Sequence, residues 1–492
     1  MTIDSVTPAQ VPKRRRRWMR EMRFDRMKAA VVLLLEGLGE NPSREGLRDT
    51  PERVVKAWQE MTSGYKQSST DVVGRGIFNE PDLASRSSSG VVCVRDIHFA
   101  STSSENLLPF FGRCHVAYAP QNGAVLGLSK FARLIGLFSK KIQSQHQLTT
   151  ELVRAISREV NPKGVAVIVE AQHLGFRTVM GSPVITFASN GSFETDMVAQ
   201  QEMRAAFLLN GVSSLGKFAS TPHSEVSERS FLTEKNSLSH EGIMLKTALE
   251  ALLTGLDLNG IEQGFRVGVG NCVDELLHAT AGYGMSISSI PSSTANTSTS
   301  VDNSEVLSEA TGWSTPRDHG SSPSPPSVSS TDTENQLEIG TPRWNRESGI
   351  AQKDLTALSQ CLNGTDGIEG GCFQFQSMCE HHLLPFQGRI YIGYIPKSPQ
   401  ATLPKHQLEA IVSMYSLRLQ LQERITEQIA LAIEEMVEPV GLVVMGRASH
   451  MCMVARGVRA HSSTTVNTVV RGEKTASILE QGVSAMIDLV EK

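Results

Sequence analysis

The sequence predicts an α+β protein made of two tandem modules of one design, each an antiparallel sheet with helices packed on one face. Three observations predict it. The first is an internal repeat. The stretch LLEGLGENPSREGLRDTPERVVKAWQEMTSGY, ending at Tyr65, lies without gaps over LLTGLDLNGIEQGFRVGVGNCVDELLHATAGY, ending at Tyr283. STSSENLLPFFGRCHVAYAP (101–120) matches SMCEHHLLPFQGRIYIGYIP (377–396), and GVAVIVEAQHLGF (164–176) matches GLVVMGRASHMCM (441–453). Three matches in one order mean a duplicated domain. The second is strand patterning: GRIYIGYIP alternates as a half-buried strand does, and GLVVMG is a short apolar run that fits another. The third is RITEQIALAIEEMVEP, where Ile425, Ile429, Ala432, Ile433 and Met436 fall at helical spacing.

The 492 residues suit two ordinary domains with linkers. Residues 1–23 read as a basic tail, in which Lys13 to Arg17 precede Trp18, Arg20 and Arg23. Such runs usually form a solvated lead into a helix, and a nuclear or organelle address is the other reading. The first module then occupies 24–217, a polar linker 218–240, and the second module 241–492. The offset between copies grows from 218 to 276, so the second copy carries an insertion. Residues 286–345 supply it. They are rich in Ser, Thr and Pro and too poor in apolar residues to bury a core, which predicts a disordered loop.

A net charge of -4 over this length gives no sign of a nucleic-acid partner. No apolar run reaches the length of a bilayer span, so no membrane partner is expected. The seven cysteines follow no regular framework. Reduced thiols and a cytoplasmic location are the expectation.

The second copy contains Cys379-Glu-His381-His382 and, further on, His450-Met-Cys452. A thiolate and an imidazole three residues apart can turn onto one ion, and a thiolate from a neighbouring strand makes a third ligand. Three protein ligands leave one position for water, whose pKa falls to about 7 on zinc, giving a nucleophile at neutral pH. Two plainer readings stand beside this one: a closed structural zinc with Cys372 as the fourth ligand, or cysteines packed as small hydrophobes.

CEHHLLPF, LQLQERITEQIALAI and SHMCMVARGV, in that order and spacing, resemble the signature blocks of the GTP cyclohydrolase I family. The resemblance covers most of the second copy and, more weakly, most of the first. It implies the tunnelling fold (T-fold), in which sheets of several modules join into a barrel, and hence a homodimer or higher homo-oligomer. It implies Zn2+ held by Cys379, His382 and Cys452, with His381 and His450 in proton transfer. It also implies conversion of GTP and water to formate and dihydroneopterin triphosphate, with Gln422 and Glu423 at the guanine. Arg456, Arg53, Ser129, Lys130 and Arg133 are the implied phosphate contacts. Glutamate suits guanine because one carboxylate accepts from N1-H and N2-H together. In GLSKFAR, Ser129 is expected to cap a helix whose free N-H groups face an anion, with Lys130 and Arg133 adding charge.

The two copies are deficient in complementary ways. In the first, the zinc block reads Ser103-Ser104-Glu105-Asn106, Gly175 stands for Cys452 and His146 for Glu423. In the second, Asn271 stands for Arg53, and the phosphate block is replaced around LPKHQLEA, where Lys130 faces Gln407 or Lys405 depending on one gap. A composite site follows as the expectation, with metal and guanine held by the second copy and phosphates by both. The alternative is a zinc-stabilised regulatory or binding homologue without catalysis.

Overall fold

The structure is a computed structural model that describes residues 12–80, 90–176, 183–212, 239–256, 258, 266–290, 368–473 and 475. The 218–240 linker lies outside the described residues up to 238, and the 286–345 insertion lies outside them beyond Ile290.

The first module runs α1 (Lys13–Gly37), α2 (Thr50–Met61), α3 (Ser69–Val73), β1 (Ile77–Asn79), β2 (Val92–Ser103), β3 (Pro109–Ala119), β4 (Ala124–Leu126), α4 (Leu128–Ser139), β5 (Ile142–Gln143), α5 (Gln145–Val160), β6 (Gly164–His173), β7 (Val184–Gly191), α6 (Ser192–Thr195) and α7 (Met197–Leu209). The second runs α8 (His240–Gly255), α9 (Arg266–Ala279), β8 (Glu369–Cys379), β9 (Leu384–Ile395), α10 (Lys405–Ser416), β10 (Leu419–Gln420), α11 (Gln422–Val437), β11 (Gly441–His450), α12 (Met451–Val454) and β12 (Thr465–Gly472). The basic run is exposed at its described side chains and helical from Lys13, where α1 starts, since Arg, Met and Glu are good helix formers and Arg17 pairs with Glu21 one turn on at 2.8 Å.

The two large sheets have the same order, β5-β2-β3-β6-β7 and β10-β8-β9-β11-β12. Both are mixed rather than purely antiparallel, because β5 and β10 join their edges in parallel. The central strand β9 is buried on both faces, not one. Ile390, Ile392 and Tyr394 meet α10 and α11, while Tyr391 packs with Ile368 and Val443 on the other side. In the first module that second face is covered by α7, through Met203 and Phe207. The expected α11 stripe is correct: Ile425, Ile429, Ala432 and Ile433 are buried, and Met436 packs against them.

Local signals set the element ends. Pro51 opens α2, where its missing N-H costs nothing. Ser144 accepts from the Gln147 amide to cap α5. The turn between β8 and β9 closes with Leu383 at φ 50°, its amide donating to Cys379 O at 2.9 Å. Its counterpart between β2 and β3 closes likewise, with Leu107 at φ 57° and a bond to Ser103 O of 3.0 Å.

A third core joins the modules. Leu34, Leu35 and Trp58 from α1 and α2 pack with Leu245, Leu252 and Val273 from α8 and α9, and the cluster extends to Met378 and Met451. Each large aliphatic side chain buried there contributes roughly 2 kcal/mol. The seam sets α2 of the first module on the β8–β9 turn of the second, and α9 of the second on the β2–β3 turn of the first. Among the described residues no helix is long and apolar enough to cross a membrane.

Candidate metal centre and substrate site

Cys379 ends β8, His382 lies in the turn that follows, and Cys452 sits on α12 directly after β11. Register brings them together: Cys379 pairs with Leu384, and His450 with Phe386, on the two sides of β9. One ligand atom from each of Cys379, His382 and Cys452 lies within 4.8 Å of the others, the only such group among the described residues. These residues fit a metal. His382 Nδ1 is buried without a hydrogen-bond partner. The Cys379 thiol is pushed up by its hydrogen bond to Cys452 and by burial, with His382 opposing the rise. Cys452 is shifted down, chiefly by the same bond from Cys379 and further by Arg456, against the effect of burial. A thiol and a neighbour inclined to be thiolate, beside an orphaned imidazole nitrogen, form a soft donor set suited to zinc. Cys372 lies in mid-strand on β8 and does not join the group.

His381 and His450 flank this set. Burial lowers the pKa of both, and for His381 the Arg53 charge lowers it further. The His450 ring stacks on Phe386 at 4.6 Å between centroids, and its Nε2 lies 2.8 Å from Gln422 Oε1. Gln422 Nε2 faces Gly446 O, Thr465 O and Asn467 Oδ1 at 2.9–3.0 Å. Those acceptors fix which end of the amide is nitrogen, so Gln422 Oε1 must accept from His450 Nε2-H and the lone pair lies on Nδ1. Gln422 is thus buried and engaged with protein groups, whereas Glu423 beside it is exposed in the first turn of α11.

Between the ligands stands a residue that sequence reasoning passed over. The Glu380 carboxylate is buried and accepts from Nη1 and Nη2 of Arg424, at 2.8 and 3.0 Å, and from Arg44 Nη1 at 2.8 Å. Burial raises its pKa, but the hydrogen bonds and charges of Arg424 and Arg44 outweigh that and hold it below the ordinary carboxylate value. Arg44 belongs to the first module, and so does Thr50, whose hydroxyl donates to Glu380 O at 2.8 Å. The available signals were a carboxylate inside the expected ligand motif and an arginine next to Glu423, the expected guanine anchor.

The first module therefore reaches the metal loop within the same chain. Arg53 on α2 lies close enough to His381 to perturb it and pairs with Asp49 at 3.1 Å. Arg456, behind α12, has Nη1 2.9 Å from His382 Nε2 and Nε 3.8 Å from Glu60 Oε2, again on α2. The α4 residues are arranged differently. Ser129 and Arg133 are exposed, and the Lys130 ammonium donates to Val72 O at 3.0 Å. Ser129 is not the cap expected of it: α4 begins at Leu128 after Gly127, and no side chain caps its first amides. The same helix in the second module, α10, also spans twelve residues, and the short strands that follow both helices correspond as well. That closes the alignment gap and sets Gln407, which is buried, opposite Lys130.

Comparison with known proteins agrees with this layout. The sequence model of a family described as GTP cyclohydrolase I matches residues 27–207 and 350–487. A protein from Arabidopsis thaliana named GTP cyclohydrolase 1 is 31% identical over 459 residues, spanning 90% of this chain and 86% of its own. One of the same name from Solanum lycopersicum is 28% identical over 90% of this chain and 87% of its own. A shorter one from Caldanaerobacter subterraneus is 42% identical over 185 residues, 37% of this chain and 95% of its own. The twice-matched family, the near full-length relatives and the paired modules lead to one statement: the chain belongs to the GTP cyclohydrolase I family.

Proposed function

We propose that the chain hydrolyses GTP to formate and 7,8-dihydroneopterin triphosphate, the entry to pterin and folate synthesis, at a zinc site completed by both modules. The observation that carries this reading is the approach of α2 to the β8–β9 turn, which sets Arg53 of one module beside His381 of the other. Cys379, His382 and Cys452 would hold the zinc, which when bound supplies Lewis acidity and a water acidic enough to attack at neutral pH.

The remaining work falls to the chain's own groups. Glu423 accepts the guanine N1-H and N2-H pair from its exposed position on the first turn of α11. His450, neutral and with its Nε2-H donated to Gln422, presents Nδ1 as the proton acceptor. Gln422 acts through His450 by fixing that tautomer. His381, also kept neutral by burial and by Arg53, is the second proton carrier. The triphosphate is met by Arg53 and Arg456, and by Ser129, Lys130 and Arg133 around the uncapped start of α4. Chains assemble into a homo-oligomer through their sheet edges, in a cytoplasmic setting.

The test is incubation of the full chain with GTP followed by oxidation. A fluorescent neopterin product that disappears on chelation supports the reading. Zinc bound without any such product would favour a regulatory homologue.

A further inference from the structure

The segment after α12 carries Arg456, and the first module touches it at three places. Glu60 Oε1 accepts from the Gly457 amide at 2.9 Å. The His461 ring stacks on His98 with centroids 5.4 Å apart. Arg459 Nη1 lies 3.6 Å from where a β-carbon on Gly136 of α4 would stand. Of these, the Glu60 contact sits next to a proposed substrate group.

Arg456 Nε is buried and lacks a hydrogen-bond partner, with the Glu60 carboxylate 3.8 Å away. Its other side, Nη1, meets His382 Nε2 at 2.9 Å. That second contact cannot persist once His382 binds a cation. A neutral imidazole that gives its Nδ1 lone pair to a metal carries its proton on Nε2, so guanidinium and imidazole then present donor to donor. Among the described ion pairs Glu60 is the anion of Arg456. Glu60 also stands seven residues after Arg53 on α2, two turns along the same face.

We infer that Glu60 is a positioning residue for substrate binding: it holds the Gly457 amide and the Arg456 guanidinium so that Arg456 faces the anionic end of the nucleotide. One rigid helix of the first module then sets the distance between two phosphate-binding cations, Arg53 directly and Arg456 through Glu60. The inference rests on the reading of Arg456 as a phosphate contact.

The test uses the full-length, zinc-loaded protein, with inorganic tripolyphosphate as competitive inhibitor of GTP turnover. Glu60→Ala should raise both KM and the tripolyphosphate inhibition constant by about tenfold, with kcat falling less. Glu60→Gln keeps an acceptor for Gly457 and lacks the charge facing Arg456. It should keep Tm, assembly and zinc content yet show most of the same kinetic loss. Arg456→Ala should match Glu60→Ala, and the double variant should be no worse than Arg456→Ala alone. Multiplying effects in the double variant, or a Glu60→Gln protein with unaltered kinetics, would overturn the positioning role. An Arg456→Ala protein with unaltered KM and inhibition would instead remove the phosphate role of Arg456 and the inference with it, so the two failures are told apart by different variants.

Discussion

The β2–β3 turn of the first module and the β8–β9 turn of the second share a backbone and differ in chemistry. Both close with a leucine at positive φ, and both receive a helix from the other module. Both also keep a clamp of histidine, glutamine and phenylalanine. His173 lies 2.8 Å from Gln145 and stacks on Phe110 at 4.8 Å, as His450 does with Gln422 and Phe386 at 2.8 and 4.6 Å. Burial pushes His173 down to about 4, so it stays neutral as part of the packing. The clamp is therefore a property of the fold and does not by itself make a reactive site.

Around the clamp the two turns part. In the first module Asn106 folds back onto Leu174 O and the Leu108 amide, and Glu275 of α9 accepts from the Phe176 amide. Polar groups that would line an opening bond to each other and close it. In the second module His382, with a buried unpaired nitrogen, stands where Asn106 does, and Cys452 stands for Gly175. The Asn106 side chain is satisfied internally in one copy, whereas His382 at the matching position of the other keeps a nitrogen without a partner. An unpaired buried polar atom is costly, and the one on His382 adjoins two cysteines that can share a ligand with it.

Substitutions at paired positions sharpen this contrast. The largest effect is expected at the ligands. Cys379→Ala should lose bound zinc and cut turnover by about a thousandfold or more, whereas Ser103→Ala should do neither, as metal analysis and GTP assays would show. Next is the buried ion cluster. Glu380→Gln leaves Arg424 short of its anion and takes one of two from Arg44, which keeps Glu40, and should cost about 3 kcal/mol by denaturant unfolding, while Ser104→Ala at the matching position should stay within about 0.5 kcal/mol. Third, Arg53→Ala should raise KM for GTP roughly thirtyfold, against less than about twofold for Asn271→Ala. The smallest is Lys130→Ala, about fivefold in KM, since that ammonium shares its bonding with Val72 O.

Much of the candidate metal centre was legible because its parts are local. Cys379 and His382 share one turn, and Cys452 directly follows a strand whose apolar run is plain in the sequence. The repeat made the fold class readable for the same reason, since each copy confirms the pattern of the other. What escaped was set by long-range packing. Arg44 meets Glu380 across 336 positions of sequence, and no periodicity announces that contact. The direction in which α2 leans depends on the seam of α1 against α8, which only the folded chain reveals. At the N-terminus charge composition pointed to an exposed segment and did not show that Lys13 to Arg23 is already helix. Gln422, which the resemblance sets at the guanine with Glu423, has its side chain buried against Gly446 O, Thr465 O and His450, about 100° round the helix from Glu423, and that packing is not visible in the sequence.

A composite site requires one metal centre per chain, and that centre must be the reactive one. Zinc stoichiometry measured together with GTP turnover addresses both. The expected result is one zinc per chain, with zinc and neopterin formation lost together in Cys379→Ala. Two zinc ions per chain, or turnover that survives complete removal of the metal, would contradict it.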